Sequence, residues 1–269
     1  MGATASVPAP RLGAVDVTIV GCSGSFAGPE SPASSYLVRA EHEGRTWSVV
    51  LDLGNGALGA LQRHVVPHQV DAVVISHLHV DHCIDMCGLY VMARYVPGGT
   101  GRGPLPAWGP PGTGVHLARA YGSGESDALL AAFDFHDLRD RECFTVGPFT
   151  ITPVRVEHPV EAFGFRVEAG GRTLAYTGDT DACPQLSHLM AGADLVLADA
   201  AFVDGRDTVP GIHLSGRRAA EAAVGAGGVR RLMLTHIPAW NDPEVCRAQA
   251  AEVWPGEVEL AVPDATYSL

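Results

Sequence analysis

The segment Ser76-His77-Leu78-His79-Val80-Asp81-His82 sets three imidazoles and one carboxylate within six residues. It follows an apolar run, Asp71-Ala-Val-Val-Ile-Ser76, that reads as a buried strand. A loop leaving a strand end is held by the scaffold and still open to substrate. His77 and His79 alternate with Leu78, so both project to one side. Asp81 and His82, just past the turn, can point at a second metal ion. Each divalent ion takes several N/O donors, more than one loop supplies. The chain must therefore fold so that other donors meet this strand end.

Those donors appear in order along the sequence. His158 follows the apolar-patterned run Phe149 to Val156, Asp179 ends Leu174-Ala-Tyr-Thr-Gly-Asp179, and His236 ends Arg231-Leu-Met-Leu-Thr-His236. Each stands at the C-terminal end of an expected strand. Asp52, in Val49-Val-Leu-Asp-Leu-Gly-Asn-Gly56, suits an Asx-turn at a strand end. Ser23 and Ser25 lie in a Gly-rich first loop that can meet a phosphate through backbone N–H groups or simply turn the chain. His213 sits just before Ser215, which has the character of a helix N-cap.

The order H-x-H-x-D-H, lone His, Asp, final His resembles the metallo-β-lactamase superfamily of metallohydrolases. The resemblance implies an α/β fold, the four-layer αββα sandwich of that superfamily. It implies two divalent ions, zinc first, with Mn²⁺ or Fe²⁺ suited to the same donors. By resemblance, His77, His79 and His158 hold one ion. Asp81, His82 and His236 hold the other, Asp179 bridges them, and Asp52 braces the ligand loop. Class B β-lactamases carry Cys at the bridging position, where this chain has Asp179. The segment Gly211-Ile-His-Leu-Ser-Gly216, followed by Leu-Thr-His236, is similar to the ribonuclease Z-like branch. There His213 would be a proton donor, so Asp81, His213 and Asp199 are the expected catalytic groups, with Asp199 orienting His213. Ribonuclease Z itself inserts a long basic arm between the lone His and the bridging Asp. Here only Pro159 to Gly178 intervene, and they read as a tight hairpin.

The segments Val20-Gly-Cys-Ser-Gly-Ser-Phe-Ala-Gly-Pro29 and Leu58-Gly-Ala-Leu-Gln-Arg-His64 look like actinobacterial atypical class II cyclic-nucleotide phosphodiesterases. That resemblance runs nearly end to end from about Val15. It implies hydrolysis of a small phosphodiester, 3′,5′-cAMP to 5′-AMP foremost, and a possible homodimer. Where those relatives tend to carry Glu, this chain has Asp199, one methylene shorter. The charge balance fits a small substrate: the chain has no lysine, 18 arginines and 30 acidic residues, net −12. Nucleic-acid binding draws on phosphate neutralisation by basic side chains, so a nucleic-acid partner is disfavoured. A ribonuclease Z-like nuclease, a thioester or lactone hydrolase and a metal-loaded binding protein without turnover are the competing readings.

No stretch approaches the roughly 20 apolar residues that span a bilayer. Met1 to Gly13 lacks the charged start and apolar core of a secretion signal. It is Pro/Ala-rich and expected to be a disordered tail, residues 14–269 forming one hydrolase domain in the cytoplasm. The six cysteines lack disulfide spacing and are expected to be buried free thiols. Expected helices cover Ile84–Tyr95, Gly114–Tyr121, Asp127–Phe133, Asp181–Met190, Ser215–Gly225 and Asp242–Val253. Short strands are expected at 107–110, 195–199, 231–235 and 258–262.

Overall fold

The computed structural model describes residues 14–122 and 127–269. The tail expected over Met1 to Gly13 lies outside the described residues. In chain order the first half runs β1 (Val15–Gly21), β2 (Ser35–His42), β3 (Arg45–Leu51), α1 (Ala57–Leu61), β4 (Ala72–Val74), α2 (Val80–Cys83), α3 (Met86–Tyr95), β5 (Leu105–Gly109), α4 (Thr113–Ala120), α5 (Asp127–Ala132) and β6 (Phe133–Asp137). The second half runs β7 (Phe144–Val146), β8 (Phe149–Arg155), β9 (Phe163–Ala169), β10 (Arg172–Tyr176), α6 (Gln185–Met190), β11 (Leu195–Asp199), α7 (Gly216–Ala226), β12 (Leu232–Thr235), α8 (Pro243–Ala251), β13 (Val258–Leu260) and β14 (Thr266–Ser268). The strands form two sheets, ordered β14-β1-β2-β3-β4-β5-β6 and β13-β12-β11-β10-β9-β8-β7.

Period-2 alternation assigns each strand's side chains to two different cores. In β11, Leu195 and Leu197 face the other sheet while Val196 and Ala198 face helices. In the first sheet Val49 and Leu51 point inward, while Val50 and Val73 point out toward α1 and α3. Three apolar interlayer spaces result, one between the sheets and one under each set of helices. Three such spaces separate four layers, so the architecture is the expected αββα sandwich.

Several local expectations need correction. The helix expected over Ile84–Tyr95 is α3, which begins two residues later at Met86; a separate short helix, α2, precedes it over Val80–Cys83. Asp85 is occupied there: its carboxylate accepts from Leu58 N–H at 2.9 Å and its own N–H donates to Leu53 C=O. Phe133 is not a helix end but opens β6, which pairs in parallel with β5 and buries the ring. The helix expected from Asp181 begins only at Gln185, because Asp181 to Pro184 are drawn into a turn at the site. The last strand stops at Leu260, and β14 then crosses to pair with β1 in the other sheet. Asp242 and Ser215 cap α8 and α7 as read, accepting from Glu244 N–H and Arg218 N–H. All six cysteines are free, but only Cys83 and Cys246 are buried; Cys22, Cys87 and Cys183 are half-buried and Cys143 is exposed. No helix among the described residues is long and apolar enough to cross a membrane.

β3, β4, β5 and β6 run parallel, as do β10, β11, β12 and β13. In such sheets, ligand sites form beyond the C-terminal strand ends. The loops after β3, β4, β8, β10, β11 and β12 meet there.

Candidate metal centre

All seven expected metal ligands converge at this edge. Donor atoms of His77, His79, His158 and Asp179 lie within 4.8 Å of one another, and those of Asp81, His82, Asp179 and His236 form a second such group. Asp179 belongs to both. In the first group His77 Nε2 and His158 Nε2 approach His79 Nδ1 at 3.0 and 3.2 Å. In the second, Asp179 Oδ1 lies 3.1 Å from His82 Nε2 and Asp179 Oδ2 lies 3.2 Å from His236 Nε2.

Three of the imidazoles are aimed by a bond from the other nitrogen, the arrangement that fixes ligand orientation at metal sites. His82 Nδ1 meets Asp52 Oδ2 at 2.7 Å, His236 Nδ1 meets Ser34 Oγ at 3.0 Å, and His158 Nδ1 meets the Ile212 carbonyl at 2.9 Å. Asp52 is the brace expected of it. Its carboxylate also accepts from Ser76 N–H, Ser76 Oγ and the Tyr176 hydroxyl. With those three donors in place, His82 Nδ1 supplies the proton and leaves Nε2 facing the site. Asp52 and His236 adopt φ of 60° and 57°, left-handed values uncommon for non-glycine residues and typical of strain held at functional sites.

The fit to cations rests on atoms left over. His82 Nε2, His236 Nε2 and Asp179 Oδ1 are buried and have no hydrogen-bond partner among the described residues. Buried polar atoms seldom go unpartnered, and these three face one another across the second donor group. The electrostatics agree. Burial holds His77, His158 and His236 below the ordinary imidazole range, so each is a neutral donor at pH 7. Burial would raise the Asp179 carboxyl, but His236, His82 and His77 outweigh it and hold the group well below the carboxylate range. Burial also disfavours charge on His82, yet Asp179 and Asp52 draw its pKa well up, a pull that a cation at Nε2 would satisfy.

His213 stands beside both groups, its Nδ1 4.0 Å from Asp179 Oδ2. The same Nδ1 meets Asp199 Oδ2 at 2.9 Å, so the shorter carboxylate reaches. Asp199 also accepts from Thr180 N–H and Ala201 N–H, which makes His213 Nδ1 the donor. Burial works against charge on His213, but Asp199 and Asp179 lift its pKa to about 9. A cavity of about 260 Å³ opens onto the centre, lined by Ser25, His79, Asp81, His158, Pro159, Asp179, Ile212, His213 and His236. Ser25 thus lines this cavity, whereas Ser23 lines a separate one with Leu234, Ile237 and Asn241. Gly24 between them is packed so closely on the His236 carbonyl that a Cβ there would collide with it.

Other site residues carry no motif. Gly54 packs against the Asp81 carbonyl, again with no room for a Cβ. Asp181 is a hub. Its backbone N–H donates to Glu157 C=O at 2.9 Å, its Oδ2 accepts from Gly211 N–H at 2.7 Å, and its Oδ1 pairs with Arg218. Asp181 therefore ties the loops bearing His158, Asp179 and His213 together, the first through its backbone N–H and the last through its buried carboxylate.

A family model of the beta-lactamase superfamily domain matches residues 48–237. An uncharacterized protein of Mycobacterium tuberculosis, Rv1339, is 44% identical over 259 residues, spanning 95% of this chain and 92% of that protein. The probable metallo-hydrolase YhfI of Bacillus subtilis is 29% identical over 91% of this chain and 96% of its own. The YhfI crystal structure superposes with a TM-score of 0.83, covering 95% of this chain and all of that one. Ribonuclease Z of Mycobacterium bovis is 29% identical over 91% of this chain and 95% of its own.

Proposed function

This chain belongs to the beta-lactamase superfamily and is a metallo-hydrolase of that fold, and from that premise we propose that it hydrolyses a cyclic-nucleotide phosphodiester, 3′,5′-cAMP to 5′-AMP foremost. The observation that carries the reading is His213, an imidazole outside both metal donor groups, held by Asp199 at the wall of the cavity they share. Phosphodiester hydrolysis needs a nucleophilic water, charge neutralisation on the phosphoryl oxygens, and a proton for a poor alkoxide leaving group.

His77, His79 and His158 would hold one divalent ion and Asp81, His82 and His236 the other, with Asp179 shared. When bound, such ions supply Lewis acidity toward the phosphoryl oxygens and a water acidic enough to attack at neutral pH. The P–O3′ bond breaks as the water oxygen bonds to phosphorus, and the O3′ alkoxide takes a proton. His213 Nε2 delivers that proton, since Nδ1 is engaged by Asp199. Asp199 keeps the ring in this tautomer and stabilises the charged form. Asp81 orients its half of the centre, and Ser25 meets the substrate at the wall.

The hairpin of β9 and β10 turns at Gly170-Gly171 and leaves no inserted arm between His158 and Asp179. With the net charge of −12, this favours a small ester over a long polyanion. The similarity to ribonuclease Z keeps a second reading in play, cleavage of precursor tRNA. A panel of 3′,5′-cAMP, 3′,5′-cGMP, 2′,3′-cAMP, bis(p-nitrophenyl) phosphate and precursor tRNA, each with Zn²⁺, Mn²⁺ or chelator, tests both. Chelator-sensitive turnover of 3′,5′-cAMP well above the generic diester is the expected result. Cleavage of the tRNA alone would transfer the assignment to the nuclease.

A further inference from the structure

We infer that Phe26 and Trp240 form an aromatic subsite at the mouth of the metal cavity, which stacks on an uncharged, planar heteroaromatic ring carried by the substrate. The inference rests on the phosphodiesterase reading for what that ring is attached to, and it adds the part of the substrate that the cavity does not hold.

The two rings are exposed, 40% for Phe26 and 61% for Trp240. Their centroids lie 5.0 Å apart at 46°, so each orders the other. Phe26 follows Ser25, which lines the cavity, and Trp240 comes four residues after His236. The same pattern continues around the opening. Val80 lies between His79 and Asp81, Val160 follows the lining residue Pro159, and Val209 precedes Ile212 and His213 by a short turn. All three are exposed. Large apolar side chains scattered singly over a surface need no explanation. Five on the segments that also carry cavity-lining residues would together form a rim to it.

Size and charge say what the rim would meet. A cavity of about 260 Å³ is smaller than the roughly 300–1,000 Å³ of sites that enclose a whole drug-sized ligand. A cyclic phosphate and its sugar would fill it, and an attached base would emerge onto the rim. Among the described residues, no arginine lines the cavity. The arginines on the neighbouring loop and helix are engaged: Arg206 with Asp207, Arg218 with Asp181, and Arg217 with Asp204 and Glu252. An apolar, aromatic rim without free cations suits a neutral ring and not a run of phosphates. Base-on-aromatic stacking depends on π-faces rather than hydrogen-bond patterns, so one platform accepts adenine and guanine alike.

The test compares wild type, Trp240→Ala, Trp240→Phe and Phe26→Ala on 3′,5′-cAMP and on an abasic ribose 3′,5′-cyclic phosphate. Binding of 5′-AMP is followed in parallel by tryptophan fluorescence, and oligomeric state by light scattering. Trp240→Ala is expected to raise KM for cAMP by about tenfold or more relative to its effect on the abasic ester, with Trp240→Phe restoring most of the loss. Quenching by 5′-AMP should disappear in Trp240→Phe, because the reporting indole is gone, while its affinity by calorimetry stays near wild type. Equal effects on both esters would overturn the subsite and leave the phosphodiesterase reading intact. If wild type turned over no cyclic nucleotide, Trp240-dependent binding of 5′-AMP would still support the subsite, and absence of that binding would overturn it. A dimer that becomes monomeric in Trp240→Ala, with base affinity unchanged, would make the rim a contact between copies and overturn the proposal.

Discussion

His213 and Asp199 show how one bond distance decides a role. At 2.9 Å the carboxylate fixes which imidazole nitrogen carries the outward proton. Replacing His213 with Ala should lower kcat on 3′,5′-cAMP by about 10²–10⁴-fold, with both metal ions retained by elemental analysis. Loss of metal along with activity would instead mark His213 as a ligand. Activity on bis(p-nitrophenyl) phosphate should fall far less, because p-nitrophenolate leaves without a proton. Asp199→Asn should follow the same pattern more weakly. The reach of Asp199 could not be read from the sequence, which gives its identity but not its distance from residue 213. The donors themselves were legible, because His77, His79, Asp81 and His82 announce their chemistry within one loop. Ser34 and Tyr176 did not. Ser34 bonds a histidine 202 positions away, and Tyr176 a carboxylate 124 positions away. Such a role exists only once the sheets have docked.

The chemistry sits just beyond the strand ends, mostly on loops, with Asp81 and His82 on α2 and Asp199 closing β11, and Asp181 contacts three of those loops. Removing its carboxylate should free Gly211 to His213 and leave Arg218 with Asp204 alone as its acidic partner. Asp181→Ala is expected to lose up to about 100-fold in kcat on cAMP, with KM little changed and with p-nitrophenyl esters largely spared. A uniform loss on both substrates would mean only a loosened fold. At Gly24 and Gly54 the constraint is steric. An alanine at either collides with a carbonyl beside a ligand and should destabilise the protein by about 1–3 kcal/mol, measured by urea unfolding. Glycines of this kind were invisible in advance because the atoms they avoid belong to distant loops. The misread elements have a similar origin. Phe133 reads as the end of an apolar helix until β5 offers a parallel partner, and α3 starts at Met86 because Asp85 is bound to the backbone of Leu58 and Leu53.

Across the whole molecule, the two sheets meet over an apolar space closed at one end by polar contacts. Tyr36 hydroxyl and Thr235 Oγ1 lie 2.7 Å apart across it, beside the Tyr176–Asp52 bond. At the surface, Arg63 and His64 bind Asp264 and tie the segment after α1 to the turn before β14. Burial opposes charge on Asp264, but these two partners hold its pKa below the ordinary value. The stability it adds is therefore present above the unfolded carboxyl pKa of about 3.9 and is lost as pH falls through the lower folded value. Asp264 is nearly half exposed, so Asp264→Asn should cost no more than about 1 kcal/mol near pH 6. The difference from wild type should shrink as pH falls below the unfolded carboxyl value, read from thermal melts. Chelation should lower Tm at every pH where the donors bind, since ions held only by the folded state stabilise it by mass action.

Each of the two four-residue donor groups takes two residues from segments beyond each sheet: His77 and His79 with His158 and Asp179, then Asp81 and His82 with Asp179 and His236. Neither half of the molecule owns a complete set. An ion seated in either group is thus a rivet through the seam, and parting the sheets by even a small slide would empty both seats in one event. The enzyme should then lose its metals together and all at once, with no half-loaded, half-active form on the way.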